Sequence, residues 1–301
     1  MYHFRTGWVQ HQVGKAFFEM ADYQNAKNAL ELMQTIEPHR MKGLEILSTT
    51  LWHLKEEVDL CYLAQKVIEF DRLAPESWCV VGNCFSLQKE HETALQFFRR
   101  SIQLDPRFTY SHTLRGHEYD SNEDFDKAIA CFRKAIQSDD RHYNAWYGLG
   151  AIYYRQEKYD LAEYHFKRAI AINKKSSVLH CNLGMLQHVN KKPFEALATL
   201  ERAFHLDPCN PQARFQRAKI FISLDRFQEA LKDLKIVRDH VPRESSVLFM
   251  MGNTYKKLGK IEDAMRCYMN ALDLEPKDNN MIKSAIDKLE EPDIEEEVSA
   301  F

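Results

Sequence analysis

The chain has 301 residues, 45% of them hydrophobic, and its 41 basic and 44 acidic residues leave a formal net charge of −3. This near balance argues against nucleic-acid or membrane-surface binding driven by charge. The seven cysteines form no C-x-x-C pair, and no apolar run approaches the length of a membrane span. We therefore expect buried, reduced thiols in a reducing compartment.

A period of 34 residues organises the chain. Trp146, Leu149, Gly150 and Tyr153 follow the W-x2-L-G-x2-Y spacing that opens a tetratricopeptide (TPR) repeat. Steps of 34 residues from Gly150 always reach a small residue: Gly14, Ser48, Gly82, Gly116, Gly184, Ala218 and Gly252. Small residues at these points let the two helices of a repeat approach closely. The period therefore predicts stacked helix pairs along most of the chain.

In chain order, this phase predicts eight helix-turn-helix repeats without insertion. They are 7–40, 41–74, 75–108, 109–142, 143–176, 177–210, 211–244 and 245–278. Repeat 41–74 departs most, because Leu60 and Ala64 reverse the small–large order and Arg72 stands where other repeats have proline. The predicted fold is all-α, a TPR α-solenoid coiled into a right-handed superhelix over 7–278.

The two ends of the array carry separate expectations. Residues 1–6 are too few to cover the first repeat, so we expect a fragment, a short isoform or a segment that docks against something upstream. Ile282, Ile286 and Leu289 have helical spacing, which predicts a capping helix over 279–290. The acidic stretch 291–301 is predicted to be a disordered tail.

The sequence contains no pattern typical of catalysis. His91-Glu92 lacks a second histidine four residues later, glycines do not cluster into a phosphate-binding loop, and no Gly-x-Ser-x-Gly elbow occurs. We expect a protein that is not an enzyme and that binds no metal or other cofactor. A TPR-fused transferase would need a catalytic domain outside these residues.

The concave groove of such an array is the expected ligand site. First-helix positions opposite the packing residues project into it, and they mix amides, rings and a few carboxylates. The candidate peptide-binding residues are Glu76, Asn83, His117, Asn144, Tyr147, Tyr154 and Asn182. This surface suits a short peptide with one apolar and one cationic side chain, and Glu76 or Asp120 could pair with the cation.

Groove residues also bear on which kind of TPR protein this is. A reader of acidic chaperone tails needs lysine four residues before a groove asparagine, but Cys79 stands before Asn83. No set of lysines and arginines follows in 143–176. The groove therefore lacks the cations that such a tail requires. A TPR adaptor or co-chaperone binding another peptide tail remains the alternative.

Four segments carry a more specific resemblance: STTLWHL at 48–54, GNCFSLQ at 82–88, RHYNAWYGLG at 141–150 and YKKLG at 255–259. The chain resembles the C-terminal TPR superhelix of the cell division cycle protein 27 family, the TPR subunits of the anaphase-promoting complex (cyclosome). The resemblance implies a non-catalytic scaffold subunit of this E3 ubiquitin ligase, acting in cell-cycle control in the nucleus and cytoplasm. It implies other subunits of the complex as partners, with no role for nucleic acid or membrane.

The same resemblance implies a ligand. Members of the family capture C-terminal Ile-Arg tails, those of WD40 co-activators and of the Doc-domain subunit. Asn144 and Tyr147 lie in the matching segment and are the first candidates to hold the tail, with Glu76, Asn83 and His117 lining the adjacent pocket. The family forms homodimers through an N-terminal TPR half, which these residues do not include.

Overall fold

A computed structural model describes residues 6–208, 210–274 and 279–290. Within these ranges the regular secondary structure consists of seventeen α-helices. The first nine are α1 (Gly7–Glu19), α2 (Tyr23–Ile36), α3 (Leu44–Leu54), α4 (Glu57–Phe70), α5 (Pro75–Leu87), α6 (His91–Leu104), α7 (Thr109–Ser121), α8 (Phe125–Ser138) and α9 (Tyr143–Arg155). The others are α10 (Tyr159–Ile172), α11 (Ser177–Val189), α12 (Pro193–Leu206), α13 (Pro211–Ser223), α14 (Phe227–His240), α15 (Ser245–Lys257), α16 (Ile261–Leu272) and α17 (Asn279–Glu290).

The fold class predicted from the sequence, an all-α array of TPR helix pairs, is confirmed. Each predicted repeat holds one helix pair, and α17 covers the span of the predicted capping helix. The predicted tail 291–301 lies outside the described residues. None of the described helices combines the length and apolar character that crossing a membrane would require.

The turn between the two helices of each repeat shows the 34-residue period in the backbone itself. One residue per turn is left-handed, with φ between 57° and 70°: Ala21, Lys55, Lys89, Glu123, Glu157, Lys191, Asp225 and Gly259. A left-handed residue just past a helix end lets the next amides bond to its last carbonyl groups. In the turn after α9, for example, the Lys158 amide donates to the Tyr153 carbonyl over 2.9 Å.

Within a repeat, a small residue of the first helix faces a large one of the second. A Cβ atom on Gly150 would lie 2.7 Å from the Phe166 ring, so only glycine allows this approach. The rings that fill this space are almost completely buried: Phe98, Phe132, Phe166 and Tyr268. Burial of one such ring contributes about 1.5–3 kcal/mol to the free energy of unfolding.

The described residues form two compact units. Residues up to Leu186 form unit 1, and residues from Gln187 onwards form unit 2. Unit 1 includes the divergent repeat 41–74, where Leu60 is fully buried and Ala64 almost so. In unit 2, α17 packs Ile282 against a cluster that contains Tyr268 and Leu248.

Candidate peptide-binding groove

Unit 1 contains a cavity of about 370 Å³ on the groove side of its first helices. Its wall is formed by residues of α3, α5, α7 and α9, the beginning of α11, and the corner between α1 and α2. The lining residues are Phe18, Glu19, Ala21, Tyr23, Thr49, Trp52, His53, Asn83, Ser86, Tyr110, Thr113, Leu114, His117, Glu118, Asp120, Ser121, His142, Tyr143, Asn144, Tyr147, Ser176, Val178 and Leu179.

The first and fifth repeats approach each other across this cavity. Asn173, which caps the C-terminus of α10, donates its side-chain Nδ2 to the Glu19 carbonyl oxygen at the end of α1 over 2.8 Å. Tyr143 lies beside this contact, and its pKa is raised by burial and by the nearby Glu19 and Tyr23. Side chains from both ends of unit 1 therefore line one cavity.

Four of the seven predicted residues line the cavity: Asn83, His117, Asn144 and Tyr147. Asn83 is only 2% exposed, and its Nδ2 donates to Ser48 Oγ over 2.9 Å and to Thr49 Oγ1 over 3.2 Å. These bonds fix the amide between α3 and α5. Asn144 is half-buried and one helical turn before the partly exposed Tyr147 and Gly148 on α9.

The other three predicted residues, Glu76, Tyr154 and Asn182, are not among those that line the cavity. Burial raises the pKa of Glu76, whereas Tyr154 packs beside Tyr159 with ring centroids 6.1 Å apart. Asn182 donates its Nδ2 to the Val178 carbonyl oxygen over 2.8 Å. The predicted set thus divides into a central group and a group beyond the cavity.

Asp120 offers the cavity a carboxylate that is only partly satisfied. Its Oδ2 accepts a hydrogen bond from Arg155 Nη2 over 3.0 Å, while its Oδ1 is buried with no hydrogen-bond partner. Burial raises the pKa of Asp120, and the neighbouring Arg155 opposes that rise. A second cationic donor at Oδ1 would stabilise the charged form further.

A second carboxylate, Glu118, belongs to a chain of hydrogen bonds. Its Oε1 accepts from Ser86 Oγ over 2.5 Å and its Oε2 accepts from His91 Nδ1 over 2.6 Å. Ser86 Oγ in turn accepts from Trp52 Nε1 over 3.1 Å. This network orients the indole and the carboxylate at the cavity wall, and the sequence analysis did not identify it.

The histidines of the cavity add no positive charge at neutral pH. Burial lowers the pKa of His53, His117 and His142 to about 4 in each case. The lining contains three carboxylates, those of Glu19, Glu118 and Asp120, but neither lysine nor arginine. Electrostatically, such a cavity favours a ligand that carries a cation and disfavours one rich in carboxylates.

Aromatic rings provide the apolar part of the wall. Tyr23 stacks on His53 with centroids 4.3 Å apart, and Tyr110 meets His142 edge-on at 5.0 Å. Tyr147 lies 6.0 Å from the buried Phe166. Rings held in this way can cover an aliphatic side chain of a ligand at little entropic cost.

Several lining residues were not predicted. His142 and Tyr143 directly precede Asn144, so the resemblance of segment 141–150 could have identified them. Glu19 and Tyr23 gave no comparable signal, because they reach the cavity only through the approach of the first repeat to the fifth. Among the described residues, no group of three or more His, Cys, Asp and Glu side chains is placed to hold a metal ion.

Comparison with known proteins gives two kinds of match. Models of the tetratricopeptide repeat match residues 75–108, 113–177 and 245–278. Cell division cycle protein 27 homolog B of Arabidopsis thaliana is 48% identical over 97% of this chain and 39% of its own length. Anaphase-promoting complex subunit 3 of Dictyostelium discoideum is 51% identical over 95% of this chain and 30% of its own length. The chain therefore spans well under half of the relatives it matches.

Among solved structures, the crystal structure of the APC/C hetero-tetramer Cut9–Hcn1 matches with a TM-score of 0.81. The match covers 92% of this chain and 55% of that one, at 15% sequence identity. At this identity the likeness concerns the fold, which is the same type of repeat array.

Proposed function

Because the chain belongs to the tetratricopeptide repeat family of the cell division cycle protein 27 homologues and anaphase-promoting complex subunit 3, we propose that it is a non-catalytic scaffold subunit of that ubiquitin ligase. Its partners would be other subunits of the complex, in the nucleus and cytoplasm. Identity of about 50% along nearly the whole chain supports this role.

The specific activity within this proposal is capture of C-terminal Ile-Arg tails, those of the WD40 co-activators and of the Doc-domain subunit, in the cavity of unit 1. One observation carries it: the lining combines aromatic rings with three carboxylates and lacks lysine and arginine. The free Oδ1 of Asp120 suits a guanidinium donor. The rings suit the isoleucine side chain.

The terminal carboxylate of the tail needs donors. Asn144 presents an amide to the cavity, and burial keeps the hydroxyls of Tyr143 and Tyr147 protonated by raising their pKa. These neutral donors can hold one carboxylate without the lysines that a tail with several carboxylates would require. The same argument disfavours the co-chaperone alternative, because an acidic tail would meet Glu19, Glu118 and Asp120.

The experiment is a titration of the chain with fluorescent peptides that differ only at the C-terminus. One peptide ends in Ile-Arg, one in Ala-Ala, one in Ile-Arg amide and one in an acidic tail. We expect saturable binding only of the free Ile-Arg end. Preferential binding of the acidic tail would support the adaptor alternative, and no binding to a folded chain would exclude the cavity as the tail site.

Two substitutions locate the binding. Asn144→Ala should weaken Ile-Arg binding by about 1.5–3 kcal/mol, roughly ten- to 150-fold, because a bond to a charged group is lost. Asp120→Asn should weaken it about tenfold or more without lowering the free energy of unfolding, since burial already disfavours the charge. The controls are the exposed Asn28→Ala on α2 and Asp160→Asn on α10. Equal losses in the controls would contradict the assignment.

A further inference from the structure

Two thiols of neighbouring repeats touch outside the cavity. Cys61 lies on α4 and Cys84 on α5, and their Sγ atoms are 2.9 Å apart. Both are free cysteines. A disulfide bond is about 2.05 Å long, so bond formation requires the two sulfurs to approach by only about 0.9 Å. No other sulfur–sulfur contact occurs among the described cysteines.

The two sulfurs differ in their surroundings. Cys84 is 7% exposed, and burial raises its pKa to about 12, with further contributions from Cys61 and Glu57. Cys61 is partly exposed, and Gln88 Nε2 donates to its sulfur over 3.6 Å. The same Gln88 amide donates to Glu57 Oε1 over 3.0 Å. Cys61 is therefore the sulfur that a soluble oxidant can reach, and Cys84 waits behind it as a protonated thiol.

We propose that Cys61 and Cys84 are a reversible oxidation site, at which a peroxide converts the two thiols into a disulfide between repeats 41–74 and 75–108. The inference does not depend on tail binding. The remaining described cysteines of unit 1, which are Cys79, Cys131 and Cys181, are each at most 6% exposed and have no sulfur neighbour. The pair is thus distinguished from them by both contact and access.

The chemistry has two balanced steps. The Cys61 thiolate attacks one oxygen of hydrogen peroxide, forming a sulfenic acid and releasing hydroxide, which takes up a proton to become water. The Cys84 sulfur then attacks the Cys61 sulfur, its proton leaves with the hydroxyl group as a second water, and the S–S bond forms. Overall, two thiols lose two electrons and two protons, and one peroxide is reduced to two waters. A dithiol such as dithiothreitol reverses the reaction.

The test uses the intact folded chain exposed to hydrogen peroxide, blocked with N-ethylmaleimide and digested with trypsin without reduction. We expect mass spectrometry to find peptide 56–66 joined to peptide 73–89, with loss of two hydrogens, and to find the link removed by dithiothreitol. Peptide 73–89 also contains Cys79, so Cys79→Ser is a matched control that must keep the link. Cys61→Ser must abolish it.

A variant of the buried Cys84 could fail to fold, so Cys84→Ala is assessed first by its circular dichroism. In a folded Cys84→Ala chain, the sulfenic acid on Cys61 should persist and react with dimedone, several-fold more than in the unchanged chain. A dimedone adduct on Cys61 in the unchanged chain without any link to Cys84 would overturn the proposal. So would a link from Cys61 to another cysteine, such as Cys267.

Discussion

Two neighbouring faces of the first helices in unit 1 obey different rules. Stepping by 34 residues along one face gives Gly82, Gly116, Gly150 and Gly184, whereas the very next positions are Asn83, His117, Ala151 and Met185. The glycines meet a ring of their own repeat, and that neighbour is the same in each case. The adjacent positions face a groove whose ligand does not repeat. Packing therefore preserves the period, and binding breaks it.

The largest expected effect tests the packing face. Phe166→Ala removes a ring that is 1% exposed and leaves a cavity opposite Gly150. We expect the free energy of unfolding, measured by urea denaturation, to fall by about 3–5 kcal/mol. The matched control is Phe194→Ala, because Phe194 is 75% exposed and should change the value by less than about 0.5 kcal/mol. Similar losses in both variants would contradict the packing account.

The second prediction concerns a carboxyl group on the groove side that is sealed like the interior. Glu45, one turn before Thr49 on α3, is 7% exposed, and its Oε2 accepts from the Gly43 amide over 2.8 Å. Burial raises the pKa of Glu45 from 4.5 to about 7, with a contribution from the nearby Glu76. Because the folded chain holds this proton more tightly than the unfolded chain, the associated stability is complete below pH 4.5 and is lost as pH rises to 7 and above.

Glu45→Gln should remove this loss, since glutamine can still accept from Gly43 but does not ionise. Its free energy of unfolding relative to the unchanged chain should therefore rise between pH 4.5 and 8 by up to about 3 kcal/mol. The difference is needed because His53, His117 and His142 have pKa values lowered to about 4, which makes stability fall as pH drops from 6.5 to 4. The exposed Glu201→Gln is the control. A flat difference for Glu45→Gln would refute the prediction.

The same contrast explains what the sequence predicted. The helix pairs follow from columns of small and large residues, and even repeat 41–74 forms its pair because Leu60 and Ala64 exchange volume within one helix. Asn83, His117, Asn144 and Tyr147 were identified from their positions on first helices. Glu19 and Tyr23 were not, because their place at the cavity depends on a contact such as Asn173–Glu19, between residues far apart in the chain. Glu118 was missed because its partners, Ser86 and His91, lie in another repeat.

The smallest expected effect marks where the groove stops binding. Asn182 occupies the same kind of first-helix position as Asn144, but its Nδ2 is already bonded to the Val178 carbonyl oxygen over 2.8 Å and it does not line the cavity. We expect Asn182→Ala to weaken Ile-Arg binding less than about threefold, or about 0.6 kcal/mol, measured in the same titration as Asn144→Ala. Equal losses for the two asparagines would mean that the tail extends along α11 beyond the cavity. A small loss for Asn182 beside a large one for Asn144 would confine recognition to the part of the groove that the first and fifth repeats enclose, where the charge of Asp120 and the rings act on the same two terminal residues.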